Sequence, residues 1–84
     1  MSRYYFHTED GRCYPDESGT ELKSLEDVRR WSLRALAEMM QAQADSFWQD
    51  GSLRMVVQDE QGLTLFTIEA VVQQAPACRR PMAR

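Results

Sequence analysis

A single histidine, two cysteines and 13 carboxylates are the groups in this chain with chemistry to offer. His7 lies just before Glu9 and Asp10 in sequence, and an imidazole held near a carboxylate is a common general base. A tight hairpin that sets His7 opposite Tyr14 would add a phenol, so His7 and Tyr14 form the polar pair with the makings of a small-molecule site. The simpler expectation is a half-exposed sheet histidine bonded to Tyr14 or to backbone. One histidine and no Cys-x-x-Cys give too few ligands for a zinc site. Asp10, Asp16 and Glu17, with Gly11 and Gly19 among them, superficially resemble a cation loop. The EF-hand spacing is absent, and turn chemistry accounts for them. There is no Walker A motif, dinucleotide-binding glycine loop or nucleophile elbow. We therefore expect no cofactor, no metal and no catalytic residue. Cys13 and Cys78 are far apart in sequence and read as reduced thiols of a cytoplasmic protein.

The elements that must position these residues follow from period and turn signals. Arg3–Thr8 is rich in aromatics and reads as a strand. Asp10-Gly11 suits a two-residue turn, and Arg12–Pro15 returns as a shorter strand. That turn would face Phe6 with Pro15, His7 with Tyr14 and Thr8 with Cys13. Both faces of the hairpin are aromatic, and the Tyr4 and Phe6 face is expected to be the buried one. Asp16–Thr20 reads as a loop, and Leu22 as an apolar anchor before the next element.

From Ser24 to Phe47 the apolar residues recur at helical period. Leu25, Val28, Ser32, Leu36, Met39, Gln43 and Phe47 share one arc, with Arg30, Arg34, Glu38, Gln41 and Asp45 opposite. Ser24 with Asp27 three residues on is an N-terminal capping pattern. No Gly or Pro interrupts the run before Asp50, so one long helix is expected. Leu33, Ala37, Met40, Ala44 and Phe47 extend its apolar surface and step by four, three, four and three residues, the spacing of a helix–helix seam. With Trp31 they mark an expected interaction surface, through which two copies would meet as a homodimer unless the first hairpin or the Trp48 loop folds over it. The final hairpin, Ser52–Glu60 and Leu63–Ala70 around Gln61-Gly62, has a register fixed by its apolar pattern. Leu53 pairs with Ala70, Met55 with Ile68 and Val57 with Phe66 on one face, while Arg54 meets Glu69 and Val56 meets Thr67 on the other.

The order β-β-α-β-β implies an α+β two-layer sandwich, one long helix packed on a four-stranded, mainly antiparallel sheet, spanning residues 1–72 as a single domain. Residues 73–84 carry two prolines and Arg79, Arg80 and Arg84, and read as a disordered basic tail. Without those three arginines the chain is near −6, seven basic against 13 acidic residues. An acidic body makes nucleic acid an unlikely partner, since phosphate affinity comes from clustered Lys and Arg. No stretch approaches transmembrane length, so no membrane partner is expected.

The segments RYYFH, DGRCYPDESGTEL, SLEDVR and VQDEQGLTLFTI, in that order and spacing, resemble a family of short alphaproteobacterial proteins. That family is a domain of unknown function whose members open with an RYFFH-like strand, pass through a D-x-x-G-x-E-L segment into an alanine-rich helix and close with a hairpin around D-E-x-G. The resemblance covers about residues 3–70 and implies the same fold, with no activity to carry over. The chain is more weakly similar to HicB-type antitoxins, which also run from aromatic strands into a helix opening L-E-x-A/V, though it lacks their third N-terminal strand and a DNA-binding extension. Together these readings favour a small non-enzymatic interaction or regulatory module with an unknown protein partner. The alternatives are an antitoxin-like or nucleic-acid-associated regulator acting through Arg79, Arg80 and Arg84, and a small-molecule-binding domain using His7 and Tyr14.

Overall fold

The computed structural model describes residues 1–75. The chain forms β1 (Ser2–Glu9), β2 (Cys13–Tyr14), β3 (Thr20–Leu22), α1 (Leu25–Ala42), α2 (Ala44–Asp50), β4 (Ser52–Gln58) and β5 (Thr64–Val71). All pairings are antiparallel, in the order β2-β1-β4-β5, with β3 also on β1. Among the described residues the fold is thus α+β, with five strands and two helices where four strands and one helix were expected. The additional strand is β3, which the polar segment around Glu21 disguised as loop. It pairs with Ser2–Tyr4, while β2 pairs with Thr8 and Glu9, so the two short strands share one edge of β1.

The helical core face packs as its period requires. Val28, Ser32 and Leu36 are buried against Phe6, Leu53, Met55 and Val57. Ser32 is fully covered, and its hydroxyl donates to Arg29 O at 2.9 Å, so this small side chain lets the helix approach the sheet without an unpaired polar atom. Ser24 caps α1 as expected, its Oγ accepting from Asp27 N–H at 3.2 Å. Leu22 packs on the core beside it, and Tyr4 and Phe6 face inward.

The helix does not run unbroken to Phe47. Gln43, at φ −115° and ψ 34°, separates α1 from α2. The cause is the size of the sheet. A straight rod from Leu25 to Asp50 would be roughly 39 Å long, whereas a seven-residue strand such as β4 spans about 23 Å. Turning at Gln43 brings Phe47 back onto the core, and Gly51, at φ 84°, ends α2 with its N–H on Phe47 O before β4 begins. The last hairpin has the register its pattern specified, from Leu53 opposite Ala70 to Val57 opposite Phe66, with a bulge between Val57 and Gln58.

Candidate functional site

The first hairpin turns through Asp10, Gly11 and Arg12, with Gly11 at φ 100°, so Glu9 faces Cys13 and Thr8 faces Tyr14. This is one residue away from the register expected of a two-residue turn, and in a strand such a slip reverses the face of every side chain. Tyr14 therefore shares the face of buried Thr8, whereas His7 projects from the opposite face. The expected His7 and Tyr14 pair is not formed.

His7 instead joins a polar network on the sheet face that neither α1 nor α2 covers. Asp16 N–H donates to His7 Nδ1 at 3.0 Å, which requires the proton to sit on Nε2, and Nε2 donates to Gln58 Oε1 at 3.0 Å. Gln58 Nε2 in turn donates to Thr64 Oγ1 at 3.1 Å. Tyr5 stacks beside the imidazole, with ring centroids 6.4 Å apart. A general base needs a free lone pair facing a substrate. The lone pair of His7 is engaged by backbone, so this imidazole orders a loop.

Asp16 is the hub of that loop. One carboxylate oxygen accepts from Phe6 N–H at 3.1 Å, and the other accepts from Ser18 N–H at 3.2 Å and Gly19 N–H at 3.0 Å. Phe6 lies on the stretch of β1 edge left open between β2 and β3, and Asp16 supplies the acceptor missing there. Partial burial pushes this carboxyl up, but the three backbone donors, aided by His7, outweigh it and hold it below its ordinary value of 3.8. The Asp16-to-Gly19 spacing is a sequence signature of such a side-chain-capped turn. Gln58 had no comparable signal, because 51 residues separate it from His7.

A second polar cluster lines a shallow hollow of about 370 Å³. Arg54 Nε donates to Glu9 Oε1 at 2.8 Å, and the guanidinium also pairs with that carboxylate through Nη2. Glu69 stands across the ladder on the other side. The hydrogen bond and the charge of Glu9 hold Arg54 above its ordinary pKa. Cys13 lies exposed alongside.

The larger feature is apolar. A helix is about 10 Å wide and strands are about 4.8 Å apart, so one helix covers two or three strands. Here α1 packs over β4 and reaches β3, leaving the inner face of β5 half-covered. The result is a groove of about 400 Å³ lined by Leu25, Arg29, Leu33, Leu65, Phe66 and Ile68. Leu33 remains 61 % exposed and Leu25 45 %.

The expected helical surface is divided. Leu33 and Ala37 on α1 and Ala44 on α2 are exposed, while Met40 and Phe47 pack against the core. Trp31 lies on the far flank against Phe6, with ring centroids 6.4 Å apart. The break at Gln43 prevents these residues from forming one straight seam, and Leu33 belongs instead to the groove with β5. Leu25, read as core, is its other helical wall. Arg79, Arg80, Arg84 and Cys78, with residues 76–84 of the tail expected to be disordered from residue 73, lie outside the described residues. Among the described residues no cluster of three or more His, Cys, Asp or Glu side chains is arranged to hold a metal, and no helix is long and apolar enough to cross a membrane.

The profile of a family described as "Domain of unknown function (DUF6894)" matches residues 3–71. No curated protein and no solved structure matches the chain.

Proposed function

We propose, from the premise that the chain belongs to the DUF6894 family of domains of unknown function, that it is a small non-enzymatic interaction or regulatory module that holds a protein partner. The observation that carries this reading is the groove between α1 and β5, where Leu25, Leu33, Phe66 and Ile68 leave apolar surface in water. Apolar surface gathered in one groove, not scattered singly, is the kind of surface that docking faces use. His7, the residue best suited to acid–base work, is committed to Asp16 and Gln58. We place the protein in a bacterial cytoplasm. The exposed thiol of Cys13 suits a reducing compartment, and the bacterial source rests on the sequence resemblance. The antitoxin-like alternative gains β3, the third N-terminal strand the chain was expected to lack, but the residues on which it depends, Arg79, Arg80 and Arg84, lie outside the described residues.

The test is capture from the source cells with wild type and with Leu33→Glu as baits, after circular dichroism has shown both to be folded. A protein held by wild type, a second copy included, and lost by the variant is the expected result. Equal capture by both baits overturns the reading. So does capture by neither, together with a strictly monomeric wild type.

A further inference from the structure

We propose that the partner seated on this face is a second copy of the chain, joined edge to edge through β5 so that two sheets become one. This rests on the interaction reading above. β5 is an eight-residue edge strand that, among the described residues, pairs only with β4. Edge strands are ordinarily guarded by lysine, proline, bulges or shortness. Thr64–Val71 holds neither lysine nor proline, and its bulge lies at its start, which leaves Phe66–Val71 regular. The opposite edge of the sheet is guarded. It consists of β2 and β3, of two and three residues, separated by a loop in which Asp16 already accepts from Phe6 N–H. Growth through both edges is therefore blocked, and pairing through β5 alone closes at two copies about a twofold axis.

The strand is self-complementary. With the twofold axis at Ile68, perpendicular to the sheet, Ile68 faces its own counterpart, Phe66 faces the partner's Ala70 and Thr67 faces the partner's Glu69. Apolar then meets apolar on the inner face, and no carboxylate opposes another. An axis at Thr67 would instead set Leu65 against the partner's Glu69. The axis at Ile68 keeps both helices on one side of the joined sheet, so the exposed Leu25 and Leu33 of each copy converge over the junction. Among the described residues Arg29 is the sole ionisable group of the groove lining, so the groove itself sets no carboxylate against another. An edge about 27 Å long on a sheet-plus-helix face about 20 Å deep presents roughly 540 Å² in projection. That is the order of the roughly 800 Å² per partner that stable interfaces bury.

Light scattering over a concentration series, with backbone amide hydrogen exchange of wild type at dilute and concentrated ends, tests the proposal alongside Thr67→Lys and Leu33→Glu. The expected result is a dimer whose β5 amides exchange at least tenfold more slowly when concentrated, and a Kd raised at least tenfold by either substitution. A dimer with β5 amides as fast as in the dilute sample overturns it, as does a folded Thr67→Lys variant that dimerises like wild type. If either variant fails to fold, the exchange measurement on wild type decides. A monomeric wild type at high micromolar concentration that still captures another protein through Leu33 overturns self-pairing and leaves the interaction reading standing. A monomer that captures nothing removes both.

Discussion

Asp16 carries more of the local structure than any other polar side chain described, because its carboxylate takes three backbone N–H groups that no strand or helix satisfies. Its pKa lies below the ordinary 3.8, the burial that opposes ionisation being outweighed by those donors. A carboxyl with a depressed folded-state pKa contributes stability that is fully present above the unfolded value and is lost as pH falls through the folded one. Wild type should therefore lose this contribution below about pH 3.8. Asp16→Asn should be weaker at pH 7 by about 1.5–3 kcal/mol, the range for hydrogen bonds to a charged acceptor, and should lack that component of the acid transition. Urea melts at pH 7 and in steps below pH 4 check both, and parallel pH curves for the two proteins would refute the assignment. Gly19, at the end of the same loop, has φ 73°, and a Cβ there would sit 2.8 Å from Arg3 Cγ, 2.9 Å from Tyr5 Cε2 and 3.0 Å from Tyr4 O. Gly11 also has positive φ, but open space around it. Gly19→Ala should thus cost about 2 kcal/mol or more, and Gly11→Ala only the backbone part, about 1 kcal/mol. Equal melting temperatures would show that the loop yields freely. The sequence displays this turn through Asp16, Ser18 and Gly19, but the acceptor role toward Phe6 emerges only once β2 and β3 leave that N–H uncovered.

The elements differ in how far local pattern determined them. The β4–β5 register was legible because a slip by one residue would place Met55 opposite Thr67 and expose an entire apolar face. The first hairpin has aromatics on both faces, so its pattern did not penalise a slip, and the turn through Arg12 set the register instead. The break at Gln43 was hidden for a different reason. Neither Gly nor Pro marks it, and it reflects the length of the strands beneath the helix. Burial at β4 gives the sharpest comparison within one strand. Met55 is 1 % exposed in the centre of the core, so Met55→Asp places an unpaired carboxylate there at a cost of several kcal/mol, comparable to the whole stability of a small domain. Arg54, one residue earlier, points into water with Glu9 and Glu69 on either side, and exposed ion pairs contribute little. Met55→Asp should be unfolded at 25 °C, whereas Arg54→Ala should melt close to wild type. If Arg54→Ala were the more damaging, the Glu9–Arg54 pairing would be the true fastening of β1 to β4.

At the scale of the whole molecule, α1 and the short α2 lie on a sheet too wide for them to cover. The core is small, with six apolar side chains buried among the described residues, and a second subunit is a source of further burial. Where that burial would occur was not legible, since it depends on which strand ends at the open edge. The order β2-β1-β4-β5 exposes β5, so the inner faces of Phe66 and Ile68 and the flank at Leu33 remain half in water. The proposed pairing through β5 would tie folding to concentration, because a ligand that binds only the folded chain stabilises it by mass action, and here the ligand would be the chain itself. A hundredfold increase in concentration adds about 2.7 kcal/mol per dimer, or about 1.4 kcal/mol per chain. For a domain of this size that raises the melting temperature by about 5–10 °C. Scanning calorimetry of wild type at two concentrations a hundredfold apart should show this rise, and Thr67→Lys should show a much smaller one. A wild-type melting temperature that stays constant would mean that each chain unfolds alone, with the surface between α1 and β5 left to a different partner.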